Sequence, residues 1–128
     1  MEHISESMEL LQKVMDLLEH HFGPSCEIIL HDYTKGPMHS IVDIRNGHVT
    51  GRAVGGHNTN IGFEIMKGTV EAKDEFNYLT YSSNGKILRS SSIYFKDSSG
   101  TPIGSMCLNL DITETIQFEK FLNAYNCS

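Results

Sequence analysis

The chain has 128 residues, a net charge of −6, and a composition that is 39% hydrophobic and 20% charged. That is the length of one domain and the balance of an ordinary globular fold. It excludes a membrane span, since no apolar run approaches the ~20 residues one needs, and it excludes holding a nucleic-acid backbone by charge.

The N-terminal segment, residues 1–18, is acidic and helically periodic rather than basic and then apolar, so no signal peptide is expected. Ile4, Met8, Leu11, Met15, Leu18 and Phe22 repeat at heptad-type spacing. Leu10, Val14 and Leu17 form a second stripe beside them, so the apolar arc is wider than one sheet face needs. Ser5 or Ser7 caps the start, and Gly23-Pro24 ends the helix. The spacing predicts that the Leu10 stripe serves the sheet and the Ile4 seam pairs with a second copy, a homodimer. Residues 1–33 carry Glu2, Glu6, Glu9, Asp16, Glu19, Glu27 and Asp32 against Lys13 alone, which reads as a solvated helix face.

Cys26 to Tyr33 is a short β-rich run. Ser40 to Arg45, Asn46-Gly47 and His48 to Thr50 together carry the strongest local hairpin signal. Residues 51–60 read as an irregular loop. Asn58 or Thr59 caps a short helix from Asn60 to Lys67, closed by Gly68. Phe76–Ser83, Lys86–Lys96 and Pro102–Leu110 then form a three-stranded meander turning at Asn84-Gly85 and Asp97–Gly100. Asp111 and Glu114 stand at capping-box spacing before a last helix to about Tyr125, with Phe118, Phe121, Leu122 and Tyr125 on one face. The order predicts an α+β fold, one antiparallel sheet with flanking helices.

Catalytic and metal signals are sparse. No HxxxH, HExxH or paired CxxC occurs, so no metal site is expected. Cys26, Cys107 and Cys127 are odd in number and far apart, which points to a reducing compartment, the cytoplasm. Ser90-Ser91-Ser92 lies mid-strand with no G-x-S-x-G around it. The glycines of Gly51-Arg52-Ala53-Val54-Gly55-Gly56 match neither phosphate-binding pattern, and nothing calls for a cofactor.

Register supplies a candidate site. A two-residue turn at Asn84-Gly85 sets Arg89 opposite Thr80 and Ser91 opposite Tyr78. A turn centred near Ser99 sets Arg89 opposite Asn109 and Ser91 opposite Cys107. Thr80, Arg89, Ser91 and Asn109 then share a polar patch suited to a small polar ligand, with Leu79, Tyr81, Leu88, Tyr94, Met106, Leu108 and Leu110 as core on the other face.

Several blocks carry a family pattern: Phe22-Gly-Pro24, Glu27-Ile-Ile-Leu-His-Asp32, Ser40-Ile-Val-Asp-Ile-Arg-Asn-Gly47, Gly51-Arg-Ala-Val-Gly55 with Thr59, Leu88-Arg-Ser-Ser-Ser92, Gly104-Ser-Met-Cys-Leu-Asn109 and Asp111-Ile-Thr113. From about Met8 to about Thr115 the chain resembles the YheO-like PAS domains of bacterial transcription regulators. The resemblance implies a PAS fold, a five-stranded antiparallel sheet forming a cup, over a single domain at 1–128. Its parts are an N-terminal helix over 1–22, a PAS core over 26–112 and a C-terminal helix over 113–128. It implies sensing rather than catalysis, a small polar or amino-acid-like effector, and DNA contact only through a helix-turn-helix domain absent from this chain. His31, Asp32, Asn46, Gly47, Arg52 and Gly55 match the family pattern, which adds His31 and Arg52 to the candidate ligand residues. Two structural readings stand beside this. Arg52 is an ion-pair partner of Asp32 or Asp43, and His31 is a core histidine held by backbone groups. Two rival functions remain, a small hydrolase-like enzyme using His31 with Asp32 or Asp43, and a ligand-free dimerisation module.

Overall fold

The computed structural model of the chain describes residues 1–56 and 60–127. A short 3-10 turn, Ile4–Ser7, leads into α1, Met8–Phe22. Strands β1 (Cys26–Asp32), β2 (Ile41–Arg45), β3 (Glu75–Tyr81), β4 (Ile87–Lys96) and β5 (Pro102–Asp111) form one antiparallel sheet in the order β2-β1-β5-β4-β3. Between β2 and β3 lies α2, Asn60–Lys67, and α3, Thr113–Tyr125, follows β5. The α+β layout with flanking helices is the expected one. The expected capping residues of α2, Asn58 and Thr59, lie outside the described residues.

The stripe of α1 that meets the sheet is not the one expected. Ile4, Leu11 and Met15 are buried on the sheet with Cys26, Ile28, Leu30 and Met106, and Met8 and Leu18 pack at the edge. Leu10, Val14 and Leu17 stand in solvent, at 64%, 38% and 68% exposure. The heptad-type seam is the broader and more regular stripe, so it buries more apolar area against the sheet. The reading of that seam as a free dimer surface is corrected accordingly, and Phe22 alone of its members is exposed. The acidic segment is not simply a solvated face either. Arg45 on β2 reaches Asp16 (2.5 Å) and Glu19 (3.0 Å) on α1 as well as its neighbour Asp43 (3.1 Å), tying helix to sheet.

Asn46-Gly47 does not turn a hairpin. Asn46 takes a left-handed conformation at φ 56°, and the chain then coils into a 3-10 turn, Gly47–Val49. The Asn46 amide donates to the carbonyls of Gly23 (3.1 Å) and Cys26 (2.9 Å), which pins this corner to the end of α1. A Cβ on Gly47 would fall 2.4 Å from the carbonyl oxygen of Arg52, a carbonyl the turn brings alongside. The backbone N–H groups of Gly51 and Arg52 both donate to Gly47 O. The turn thereby places Thr50 and Arg52 over the sheet.

Both strand pairs of the meander are shifted from the expected register by one residue, for different reasons. At Ser82–Gly85 the loop has three residues, with Ser82 N–H donating to Lys86 O, Gly85 N–H donating to Ser82 O, and Gly85 at φ 84°. This is a type I turn closed by a left-handed glycine, not the two-residue turn that Asn-Gly favours. At Asp97–Gly100 the turn is centred as expected. A bulge between Phe95 and Lys96 then inserts Ile103, so Phe95 pairs with Gly104 and Ser90 with Asn109. A one-residue slip moves every side chain of a strand to the other face.

α3 leaves the sheet with no buried residue. Phe118, Phe121 and Tyr125 stack on one another along its exposed side, with ring centroids 6.4 and 6.1 Å apart.

Candidate functional site

The face of the sheet opposite α1 is concave and mixed in polarity. Strict alternation puts Glu27, Ile29 and His31 of β1 on it, beside Ser105, Cys107 and Asn109 of β5. Ser90, Ser92 and Tyr94 of β4 continue the face, and Tyr78 and Thr80 of β3 complete it. Tyr33, the turn at Thr50–Arg52 and α2 rise around it. Ile65 of α2 packs with Tyr33 and Ala72, against Tyr94. The cavity there measures about 720 Å³, within the ~300–1,000 Å³ of ordinary small-molecule sites.

A line of hydrogen bonds runs across four strands at the floor. Glu27 is fully buried. One of its carboxyl oxygens accepts from the Thr50 N–H (3.3 Å) and from the Thr50 hydroxyl. The other accepts from the Asn109 amide (2.9 Å), whose own oxygen accepts from Ser90 Oγ (2.7 Å). Thr80 Oγ1 stands 2.7 Å from Ser90 Oγ and ends the line. A buried carboxyl is costly unless its oxygens find donors, and here both do. A second line joins Tyr78 to Ser92 (2.7 Å) and Ser92 to the Cys107 sulfur (3.3 Å). Burial pushes the Cys107 thiol up, which keeps it protonated and unreactive. Burial likewise raises the Tyr78 and Tyr94 phenols, so the wall is lined by neutral donors and acceptors.

His31 and Arg52 meet at this cavity. The His31 imidazole is buried, with Nδ1 2.8 Å from Ser40 Oγ. Burial, and then the nearby Arg52 guanidinium, push it down from 6.5 to about 4. It is therefore a neutral ring bonded to a side-chain hydroxyl, not to the backbone groups expected. The Arg52 side chain makes no hydrogen bond or ion pair with any described residue. Neither of its expected partners is available: Asp32 accepts from Thr34 N (3.0 Å) and Oγ1 (2.7 Å), and Asp43 is held by Arg45 and by Gln12 (3.1 Å).

Of the residues singled out from sequence, His31, Arg52, Thr80 and Asn109 line this cavity together. Arg89 and Ser91 do not. The register shift carries them to the opposite face, where Arg89 is exposed and donates to Asn77 Oδ1 (2.8 Å) and Ser91 Oγ accepts from the Asn77 N–H (3.0 Å). Leu88 and Tyr94, expected in the core, move into the cavity wall by the same shift. Asp32 and Asp43 do not bond to His31, so a His–carboxylate pair is not assembled from them. Glu27, Thr50, Ser90 and Ser92 were not legible as site residues. The available signal for Glu27 was its alternation with Ile29 and His31 in a strand otherwise built for burial.

A sheet of this order with a cavity on its concave face defines a PAS-type domain. A model of the YheO-like PAS domain matches residues 2–126, and the chain belongs to that family. It is 26% identical over 112 residues to an uncharacterized protein of Haemophilus influenzae, covering 88% of this chain and 49% of that one. It is 25% identical over 116 residues to the uncharacterized protein YheO of Escherichia coli, covering 89% and 47%. The chain thus spans about half the length of these curated relatives. Among solved structures, an RNA-binding light-oxygen-voltage receptor superposes with a TM-score of 0.55 at 17% identity, over 94% of this chain and 38% of that one. A PAS domain from Colwellia psychrerythraea gives 0.50 at 13% identity, over 82% and 98%. At these identities the likeness is one of fold.

The His31 environment has a measurable consequence. As pH falls from 6.5 toward 4, the unfolded chain takes up a proton at His31 that the folded chain refuses. Its contribution to stability is complete above pH 6.5 and is lost across that interval, roughly 3 kcal/mol in all. In urea denaturation at a series of pH values, the wild-type stability should fall by about that much more than the stability of His31→Gln. Parallel curves for the two proteins would contradict the assignment.

Proposed function

We propose that this chain is the sensory PAS domain of a bacterial transcription regulator, cytoplasmic and non-catalytic, that takes a small polar effector into the cavity on its concave face. The cavity itself carries this reading. Its floor is a line of mutually satisfied polar groups where a purely structural sheet would place close-packed apolar side chains. Family membership and bacterial relatives support it. Among the described residues no helix is long and apolar enough to cross a membrane. DNA contact falls to a helix-turn-helix segment outside these residues, in keeping with the chain's net charge of −6. An effector acts by binding one arrangement of the flanking helices better than another.

The same reading includes a homodimer, with its contact moved from the Ile4 seam to the stripe at Leu10, Val14 and Leu17. Three large exposed side chains on one helix face are an apolar patch of the kind a two-fold contact covers.

Two experiments test these statements. Native mass spectrometry of the protein, incubated with a mixture of polar metabolites, should show a retained small molecule. Ser92→Phe, which fills the cavity and is checked as folded by circular dichroism, should retain none. Equal uptake by both proteins would place any binding elsewhere and overturn the sensory site. In sedimentation, Leu17→Glu should be monomeric with near-wild-type stability, whereas Met15→Glu should unfold the domain. A Leu17→Glu protein that stays dimeric would remove this contact.

A further inference from the structure

Among the described residues, one cation of the cavity stands without a counter-ion. Arg52 lines it, and no described carboxylate comes within ion-pair distance of its guanidinium; the ion pairs of the described residues engage Arg45, Lys67 and Lys86 instead. Two other ionisable groups on this face of the sheet are already engaged. Glu27 is taken by Thr50 and Asn109, and His31 is bonded to Ser40. Glu75 also lines the cavity, from β3, but it is exposed and does not reach Arg52. A half-buried guanidinium left unpaired over a polar wall forgoes its strongest interaction, a two-pronged bond to a planar oxyanion.

We propose that the effector is a small monocarboxylate, its carboxylate held end-on by the Arg52 guanidinium and its body lying against the hydroxyl and phenol wall formed by Tyr78, Thr80, Ser92 and Tyr94. A single cation balances one negative charge. A phosphate ester, with close to two, would leave charge uncompensated in a partly desolvated site. The guanidinium also matches a carboxylate in shape, two parallel N–H groups to two oxygens. The burial of His31 supports this count, since a neutral imidazole adds no second positive charge. The wall then discriminates among acids by hydrogen bonding, because hydroxyls and phenols both donate and accept.

This inference rests on the sensory reading of the same cavity, and the test separates the two. Two matched triplets serve as probes: para-hydroxybenzoate, para-hydroxybenzamide and para-hydroxybenzylamine; and lactate, lactamide and isopropanolamine. Each is titrated into isotope-labelled protein, and amide chemical shifts are followed for the cavity residues. The carboxylate of at least one triplet should bind in the cavity about tenfold more tightly than its amide and its amine. Arg52→Gln should lose that preference, and Arg52→Lys should keep part of it. The Arg52 side chain has no hydrogen-bond or ion-pair partner to strand among the described residues, so both variants should fold as the wild type does. If an amide or amine binds in the cavity as tightly as its acid, or if Arg52→Gln leaves the acid's affinity unchanged, the carboxylate assignment fails while the small-molecule site stands. If none of the six probes shifts a cavity residue, both fail.

Discussion

A carboxyl group buried in the middle of a sheet sets the terms for the rest of this fold. Glu27 has no exposed surface, and its oxygens are satisfied only because two distant segments come to it: Asn109 from the neighbouring strand, and Thr50 from the turn beyond β2. Removing any donor would leave a desolvated acceptor, at a cost of ~1–3 kcal/mol or more for a charged group. The requirement propagates outward. Asn109 is oriented by Ser90, and Ser90 by Thr80, so the order extends to the edge strand β3. Thr50 is delivered by the turn that Asn46 and Gly47 shape, and the same turn carries Arg52 to the cavity. One polar residue therefore couples the register of β1 and β5 to the placement of the cavity's cation.

The two faces of the sheet separate stability from recognition. On one, Ile4, Leu11 and Met15 of the N-terminal segment close an apolar core with Ile28, Leu30 and Met106, and Arg45 clamps α1 to β2. On the other, hydroxyls, amides and phenols face a cavity. β1 belongs to both, since Cys26, Ile28 and Leu30 point to α1 while Glu27 and His31 lie on the opposite face, where His31 lines the cavity. On the sensory reading, a shift in the Thr50–Arg52 turn on ligand entry is transmitted through Glu27 to the strand on which α1 rests. The coupling is limited by how differently the ligand binds the two arrangements.

Much of the fold was legible in the sequence, because it is encoded by local periodicity and turn residues. The spacing of Ile4 to Phe22, the caps at Gly23 and Gly68, and the three strands after Phe76 all emerged near their observed bounds. What failed was non-local or depended on a choice between near-equal local solutions. Asn84-Gly85 supports a two-residue turn or, with Ser83, a three-residue one, and only the latter matches the strands that follow. The bulge that inserts Ile103 has no signature in composition. Together these moved Arg89 and Ser91 out of the site and Ser90 and Ser92 into it. Likewise both stripes of α1 satisfy helical periodicity, and the choice between them is made by the sheet. His31 and Arg52 were found through family resemblance, and Thr80 and Asn109 kept their place because both shifts displace β4 and leave β3 and β5 in phase with each other.

The central claim is that the line through Glu27 and Asn109 acts as one unit rather than as separate polar residues. A double-mutant cycle in urea denaturation measures this directly, with Glu27→Leu, Asn109→Leu and the pair. Each single substitution strands the partner's buried polar group, and the double substitution removes both at once. The double variant should therefore be destabilised by at least ~1 kcal/mol less than the two single variants added together. Additivity within ~0.5 kcal/mol would mean that the two residues are energetically independent, and the account of the concave face as a cooperative polar floor would be wrong.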